Sequence, residues 1–154
     1  MKITRILLIL VLVLGIFSLS LAQEEKRIAT IMQLKGNVEV MTPKEARKPA
    51  QVGMVLRQAD VIHTKAKSWA LLKLDGVVET ATVMVKENSQ LMLAELTADK
   101  IKGSQKTLLD LALGEILIKA KKLHSEETSF EVKTPTSIVA VRGTTFSVTV
   151  EAKE

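Results

Sequence analysis

The fold of this chain is indicated most clearly by residues 130–150, FEVKTPTSIVAVRGTTFSVTV. From Thr145 to Val150, apolar residues alternate with small polar ones, which is the period of two that a half-buried strand requires. Phe130–Lys133 alternates in the same way. Pro135 follows it, favours an extended Thr134 and interrupts the ladder of backbone hydrogen bonds. The stretch therefore predicts two strands separated by a turn.

Further short strands are predicted upstream, between turn residues such as Gly36-Asn37 and Asp75-Gly76. The predicted strands are Ile28–Lys35, Val38–Val40, Val61–Thr64, Trp69–Leu74 and Val77–Val85. The stretch from Thr42 to Asp60 contains two prolines and Gly53, and we expect it to be largely loop. Many short strands with turn signals are typical of an all-β sandwich or barrel.

One region fits two kinds of secondary structure. Leu91–Lys102 and Thr107–Leu113 are rich in Leu, Ala, Glu and Lys, residues that favour helix. However, Leu109, Leu111 and Leu113 also alternate as strand residues do. Propensity alone favours helix here, and the period leaves both possibilities open.

A weak internal similarity is also present. Gly36–Val40 resembles Gly114–Ile118, and Thr64–Ala70 loosely parallels Thr134–Ala140. The two pairs have different spacings, so a true repeat would require an insertion or deletion between them. The shared sequence pattern of β-hairpins explains the similarity as well as a repeat does.

The N-terminal residues 1–22 have the layout of a secretory signal peptide, with two basic residues, an apolar run and a small-x-small exit. Ser20 and Ala22 suit the small positions that signal peptidase needs, so we expect cleavage after Ala22. The alternative is an uncleaved membrane anchor, because the apolar run approaches the roughly 20 residues that span a bilayer. Without cysteine, the chain is not expected to be a lipoprotein.

The 132 residues that follow Ala22, of 154 in the chain, suffice for one domain and can fold without disulfides or metal. Without Lys2 and Arg5, 20 basic and 17 acidic residues remain, a net charge of +3 instead of +5. The basic surplus is small, and an exported protein rarely meets nucleic acid, so we expect no nucleic-acid partner. Membrane contact is expected only through an uncleaved signal segment.

Residues 130–148 strongly resemble the signature of the FecR domain, a family named for iron-dicitrate sensor proteins of the bacterial envelope. The family pattern runs F-x-V-x-T-P, then a-x-V-R-G-T-x-F-x-V, and this chain matches it nearly throughout. Upstream, Gly36–Val40, the segment from Pro49 to Thr64 and the hairpin from Ser68 to Gly76 are similar to other parts of the domain. The resemblance covers roughly residues 30–150.

The resemblance implies a single two-sheet β-sandwich of jelly-roll type over residues 23–154. It also implies that Gln90–Leu93 and Leu109–Ile118 are strands. Two departures are notable. Ala59 replaces the glycine that usually precedes Asp60, which puts a tight turn there in doubt. Only five residues precede the apolar run, so no cytoplasmic anti-sigma region is expected, nor sigma-factor signalling by this chain.

The signature residues are expected to have structural roles. They are Asp60, Thr134, Pro135, Arg142, Gly143, Thr144 and Phe146. Arg142 could hold a ligand carboxylate with its planar guanidinium. We favour a structural role, in which Arg142 ties backbone carbonyls or Asp60 together and Gly143 permits a turn before the last strand.

No catalytic, cofactor or metal site is predicted. The chain has only two histidines, His63 and His124, no cysteine, and none of the common nucleophile, phosphate-binding or zinc motifs. Trp69 is interpreted as core packing, with sugar stacking as the alternative. Lys119, Lys121 and Lys122 form a basic cluster, interpreted as a solvated strand end or loop, with anionic-glycan or membrane contact as the alternative.

The predicted function is therefore that of an exported, non-enzymatic FecR-like binding module. It would need no cofactor and would contact another envelope protein. The alternative is a glycan-binding or structural protein of the envelope that uses Trp69, the lysine cluster or an exposed sheet edge.

Overall fold

A computed structural model of the protein describes residues 24–76, 81–120, 127–141 and 145–151. Within these ranges the chain forms strands β1 (Glu24–Lys26), β2 (Ala29–Lys35), β3 (Val38–Thr42), β4 (Glu45–Pro49), β5 (Val55–Leu56), β6 (Val61–Thr64), β7 (Trp69–Leu74), β8 (Ala81–Val85), β9 (Gln90–Asp99), β10 (Ser104–Ala120), β11 (Ser129–Lys133), β12 (Ile138–Ala140) and β13 (Thr145–Val150). No helix long and apolar enough to cross a membrane occurs in them.

The strands form one continuous, curled sheet, a half-barrel, in the order β4-β3-β6-β9-β10-β8-β7-β2-β5. Strand β1 joins β9, β13 joins β10, and β12 is attached through β11. All pairs are antiparallel except β10 with β11. The predicted all-β class is confirmed. The predicted division into two sheets of a jelly-roll sandwich is not confirmed, because β10 runs through both halves of the sheet and makes them continuous.

Strand β10 serves both halves because it changes direction at Gly114. Its first part pairs with β9 and β11, and its second part pairs with β8 and β13. Leu109 and Leu111 are buried before the bend, and Ile116 and Ile118 after it. Odd-numbered residues are buried before the register shift that follows Leu111, and even-numbered residues are buried after it. A strand that continued without this shift would turn its apolar side chains to solvent.

The same local structure is built twice, around Gly36 and around Gly114. Each glycine has a positive φ, +78° and +95° respectively. The amide after each glycine donates to a serine hydroxyl: Asn37 N to Ser68 Oγ at 2.8 Å, and Glu115 N to Ser89 Oγ at 3.0 Å. Each serine hydroxyl in turn donates to the carbonyl two residues before it, at 3.1 Å in both copies.

Further features of the two copies agree. The amides of Lys65 and Lys86 donate to the carbonyls of Asn37 and Glu115, at 3.1 Å and 2.9 Å. The residue before each serine, Lys67 or Asn88, has a positive φ. In this repeat, β2 corresponds to the first part of β10 and β3 to its second part. Strand β6 corresponds to β8, and β7 corresponds to β9.

The similarity of Gly36–Val40 to Gly114–Ile118 thus reflects a structural repeat. The looser similarity of Thr64–Ala70 to Thr134–Ala140 is not part of this repeat, in which Thr64–Ala70 corresponds to residues 85–91.

The ambiguous leucine-rich region is strand, as the family resemblance implied, in β9 and β10. Helix propensity fails there because buried strand neighbours on both sides complete the backbone hydrogen bonds and cover the leucines. Most residues of Thr42–Asp60 are loop or turn, as predicted, and the stretch also contains the short strands β4 and β5. Its prolines are tolerated because β4 is an edge strand that ends at Pro49. Residues 77–80, from the predicted Val77–Val85 strand, lie outside the described residues.

The N-terminal strands belong to the same sheet as the C-terminal signature. Strand β2 pairs with β7, β3 with β6, and β1 with β9. Arg27 is buried after β1; its Nε donates to the Asp75 carbonyl at 2.5 Å and its Nη1 to Thr107 Oγ1 at 2.8 Å. Burial lowers the pKa of Arg27, while the Asp75 carboxylate acts in the opposite direction. Arg27 thus links the first strands to β10.

Candidate functional site

The Thr134-Pro135 pair of the signature lies in a tight turn between β11 and β12. Buried Thr134 donates its amide to the Ser137 carbonyl at 2.8 Å and accepts the Ser137 amide at its hydroxyl at 3.0 Å. Pro135 is exposed at the second position of the turn, which its fixed φ suits. The hydroxyl of Thr134 is therefore engaged in the turn.

The turn presents β12 at the end of the sheet. Among the described strands, β12 pairs with β11 alone. The Val141 amide donates to the Phe130 carbonyl at 2.8 Å. Hydrogen-bonded and non-hydrogen-bonded residue pairs alternate along an antiparallel ladder. Because Val141 is hydrogen-bonded to Phe130, Ile138 and Ala140 fall in non-hydrogen-bonded pairs, and their backbone N–H and C=O groups point away from β11. We call this free side of Ile138–Ala140 the β12 edge.

The β12 edge is apolar and accessible. Ile138 is 63% exposed and Val139 is 37% exposed. The opposite end of this half of the sheet is β4, Glu45-Ala46-Arg47-Lys48-Pro49, whose charges and proline protect an edge against strand addition. The β12 edge lacks such protection within the strand.

A groove of about 700 Å³ adjoins the β12 edge. It is lined by the turn 134–137, Val139, residues 147–151, and Ala112 and Leu113 of β10. The groove is therefore formed in part by β12 and β13, two strands of the family signature.

Asp60 is buried and stabilises the turn before β6. Its Oδ2 accepts the Arg57 amide at 2.8 Å, and its own amide donates to the Arg57 carbonyl at 3.1 Å. Ala59 adopts φ +73°, a conformation that glycine adopts without strain. The tight turn that the missing glycine put in doubt is thus retained.

The remaining signature residues are only partly described. Phe146 is half-buried and packs against the core. Arg142, Gly143 and Thr144 lie outside the described residues, as do Lys121 and Lys122. The pairing of Arg142 with Asp60 stays a prediction.

Trp69 lies on the outer face of the sheet and not in the core, so the core-packing interpretation is wrong. In β7 the buried residues are Ala70, Leu72 and Leu74, and Trp69 belongs to the opposite face. Cross-strand pairing extends this face through β2, β7, β8 and the second part of β10. Its half-buried apolar side chains are Trp69, Leu71, Met84 and Leu117. We call this surface the Trp69 face.

Exposed Lys119 lies on the Trp69 face as well, opposite Thr82, which in turn lies opposite Lys73. Lys86 follows the last residue of β8, close to Glu115 of β10. The Lys86 ammonium forms an ion pair with the Glu115 carboxylate at 2.6 Å. Hydrogen bonds from Lys86 and from Ser147 lower the pKa of Glu115. The structure thus brings Trp69 and Lys119 onto one surface.

His63 lies on the outer face of the other half of the sheet, beside Glu39 and Gln90. Its pKa is lowered, first by partial burial and then by the positive charges of Lys65 and Arg47. In the described part of the chain, no group of three or more His, Cys, Asp or Glu could hold a metal ion. His124 lies outside that part.

Two surfaces were missed at the level of sequence. The only sequence signal of the β12 edge is that Ile138–Ala140 is apolar, and an apolar segment is equally typical of a buried strand. The outward position of Trp69 did have a signal in the sequence. Lys73 is four residues further along the same strand and therefore lies on the same face as Trp69, and a lysine is rarely buried.

Comparison with known proteins agrees with the signature. The family model described as FecR protein matches residues 60–154, more than half of the chain. Neither the search of curated proteins nor the search of solved structures found a match. The matched region runs from the Asp60 turn through the Thr134 turn to β13, and the chain belongs to the FecR protein family.

Proposed function

We propose that this FecR-family protein is an exported, non-enzymatic module that binds another envelope protein through the β12 edge. The observation that carries the proposal is the contrast between the two ends of one half of the sheet. Strand β4 has the charges and the proline that prevent strand addition, whereas β12 offers Ile-Val-Ala. An unprotected apolar edge is a template for an additional strand from another chain.

The geometry of the β12 edge supports an extended peptide segment as the partner's contact. The outward N–H and C=O groups of Ile138 and Ala140 can form main-chain hydrogen bonds with an added strand. Side chains of that strand would contact the groove, which Leu113 and Val139 help to line, and the exposed Ile138. Main-chain bonds would supply affinity and the groove would supply specificity.

The proposal of export is supported by the signal-like pattern of residues 1–22. A structural role for the signature, in place of a catalytic one, is supported by the engaged side chains of Asp60 and Thr134.

Site-specific photo-crosslinking in living cells tests the proposal. A benzophenone amino acid replaces Ile138, and in a matched strain it replaces Ile101, an isoleucine that is 83% exposed at the β9–β10 turn. We expect ultraviolet light to produce one discrete adduct with an envelope protein at position 138 and none of that size at position 101. Equal adducts at both positions, or no adduct at 138, would refute the β12 edge as the binding surface.

A further inference from the structure

A second, separate surface has the features of a small-ligand site. The Trp69 face contains a depression of about 590 Å³, lined by Lys35, Lys67, Ser68, Trp69, Met84, Lys86 and Glu87. Its volume lies within the roughly 300–1,000 Å³ that small-molecule sites occupy. The depression lies on the half of the sheet that does not carry the β12 edge.

The depression combines an aromatic ring with lysine side chains. Trp69 lies opposite Lys35 on β2, and Lys86 follows Val85 at the adjoining end of β8. The Lys86 ammonium is paired with Glu115. In the described part of the chain, the ammonium groups of Lys35 and Lys67 form no ion pair. The Glu87 carboxylate accepts the backbone amide of Lys67 at 2.5 Å.

The repeat within the fold shows that these side chains are not needed to build the sheet. In the other copy, the position of Trp69 is held by Gln90 and that of Lys67 by Asn88, around the same serine and glycine arrangement. Met84 corresponds there to His63. The turn, the bend and the core are therefore formed without an aromatic ring at the position of Trp69 and without lysines at the positions of Lys35 and Lys67, and a structural requirement does not explain these three residues.

We infer that the Trp69 depression binds an acidic saccharide, a pyranose ring that carries a carboxylate. The apolar face of a sugar ring fits against the indole of Trp69, and the carboxylate fits the ammonium groups of Lys35 and Lys67. An anionic membrane surface fits less well, because Trp69 is half-buried and lines a depression.

The test uses the fact that Trp69 is the only tryptophan of the chain. Its fluorescence is titrated in the protein as the cell produces it, with trigalacturonic acid and with the uncharged methyl ester of the same trisaccharide. We expect a saturable change with the acid and binding at least about tenfold weaker with the ester. No response to the acid, or equal binding of both, would overturn the inference.

Matched variants locate the site. Lys35→Gln with Lys67→Gln should weaken trigalacturonic acid binding by about fivefold, since exposed charge pairs each contribute modestly. The control, Lys100→Gln with Lys102→Gln, removes two exposed lysines from the β9–β10 turn and should bind like wild type. Equal losses in both double variants would indicate general charge attraction and overturn the site.

Trp69→Leu removes the ring and should weaken binding, measured by calorimetry, by about tenfold or more. If this variant fails to fold, the lysine pair still decides the outcome. Phosphatidylglycerol vesicles are titrated in parallel. A Trp69 response to vesicles and none to the saccharide would assign the surface to membranes and refute the saccharide.

Discussion

Gly114 lies against Ser89 so closely that a Cβ atom on Gly114 would be 2.1 Å from Ser89 Oγ and 2.5 Å from Ser89 Cα. With φ at +95°, Gly114 is also in a conformation that side chains disfavour. The same glycine lets β10 bend and places the next amide on the serine hydroxyl. Contact between these two residues therefore determines how the two halves of the sheet join.

Gly114→Ala is expected to lower the free energy of unfolding by about 3 kcal/mol or more, from backbone strain together with overpacking. Urea melts measure the loss. Gly103→Ala is the matched control, because Gly103 also has a positive φ but its Cβ would meet nothing within 4 Å. The control should lose only about 1 kcal/mol. Equal losses would show that the Ser89 contact is unimportant.

Ala59→Gly is expected to stabilise the protein by about 0.5–1 kcal/mol. Ala59 has φ +73°, and relief of this strain outweighs the added entropy of glycine in the unfolded chain. Ala66→Gly is the control, since Ala66 lies in an exposed turn without a positive φ, and it should destabilise. Thermal melts of both variants decide the sign; a destabilising Ala59→Gly would contradict the strained turn.

His63 is expected to make the folded protein less stable as pH falls. Its folded pKa is lowered from the ordinary 6.5, so the unfolded chain binds the proton more readily. The contribution of neutral His63 is fully present above pH 6.5 and decreases as pH falls from there toward the folded pKa. His63→Gln should remove this part of the pH dependence in urea melts. A nuclear magnetic resonance titration that gave His63 a pKa at or above 6.5 would exclude this explanation.

Export with cleavage after Ala22 is expected from the signal-like residues 1–22. The intact mass of the protein from the periplasm or medium should correspond to a chain that begins at Gln23. Ala22→Leu should block processing, because signal peptidase needs a small residue there. A protein that keeps Met1 and remains in the membrane fraction would instead be anchored.

Much of the fold was predictable because its signals are local. Alternation in Thr145–Val150 and turn residues such as Gly36-Asn37 depend only on nearby sequence, and both predictions are confirmed. The leucine-rich β10 was not predictable from propensity, since its strand form depends on partners distant in the chain. Strand β4 was not predictable for the same reason: exposed, charged Glu45–Lys48 becomes a strand only because β3 lies beside it.

The candidate sites were less predictable than the fold. Trp69 looks like a core residue until one considers that Lys73 lies on the same face of the strand. The β12 edge is invisible in sequence, because Ile138–Ala140 would look the same in the centre of a sheet. Its exposure follows from the order of strands around β10, which no local pattern encodes.

Binding of the envelope partner through the β12 edge is tested most directly by Ala140→Pro. Proline removes an N–H that points away from β11, so the ladder to β11 and the stability should change by less than about 1 kcal/mol. Affinity for the partner identified by crosslinking at position 138 should fall by about fivefold or more. Ala140→Val, which keeps the N–H, should bind like wild type. If Ala140→Pro folds and binds the partner as tightly as Ala140→Val does, strand addition at the β12 edge is contradicted.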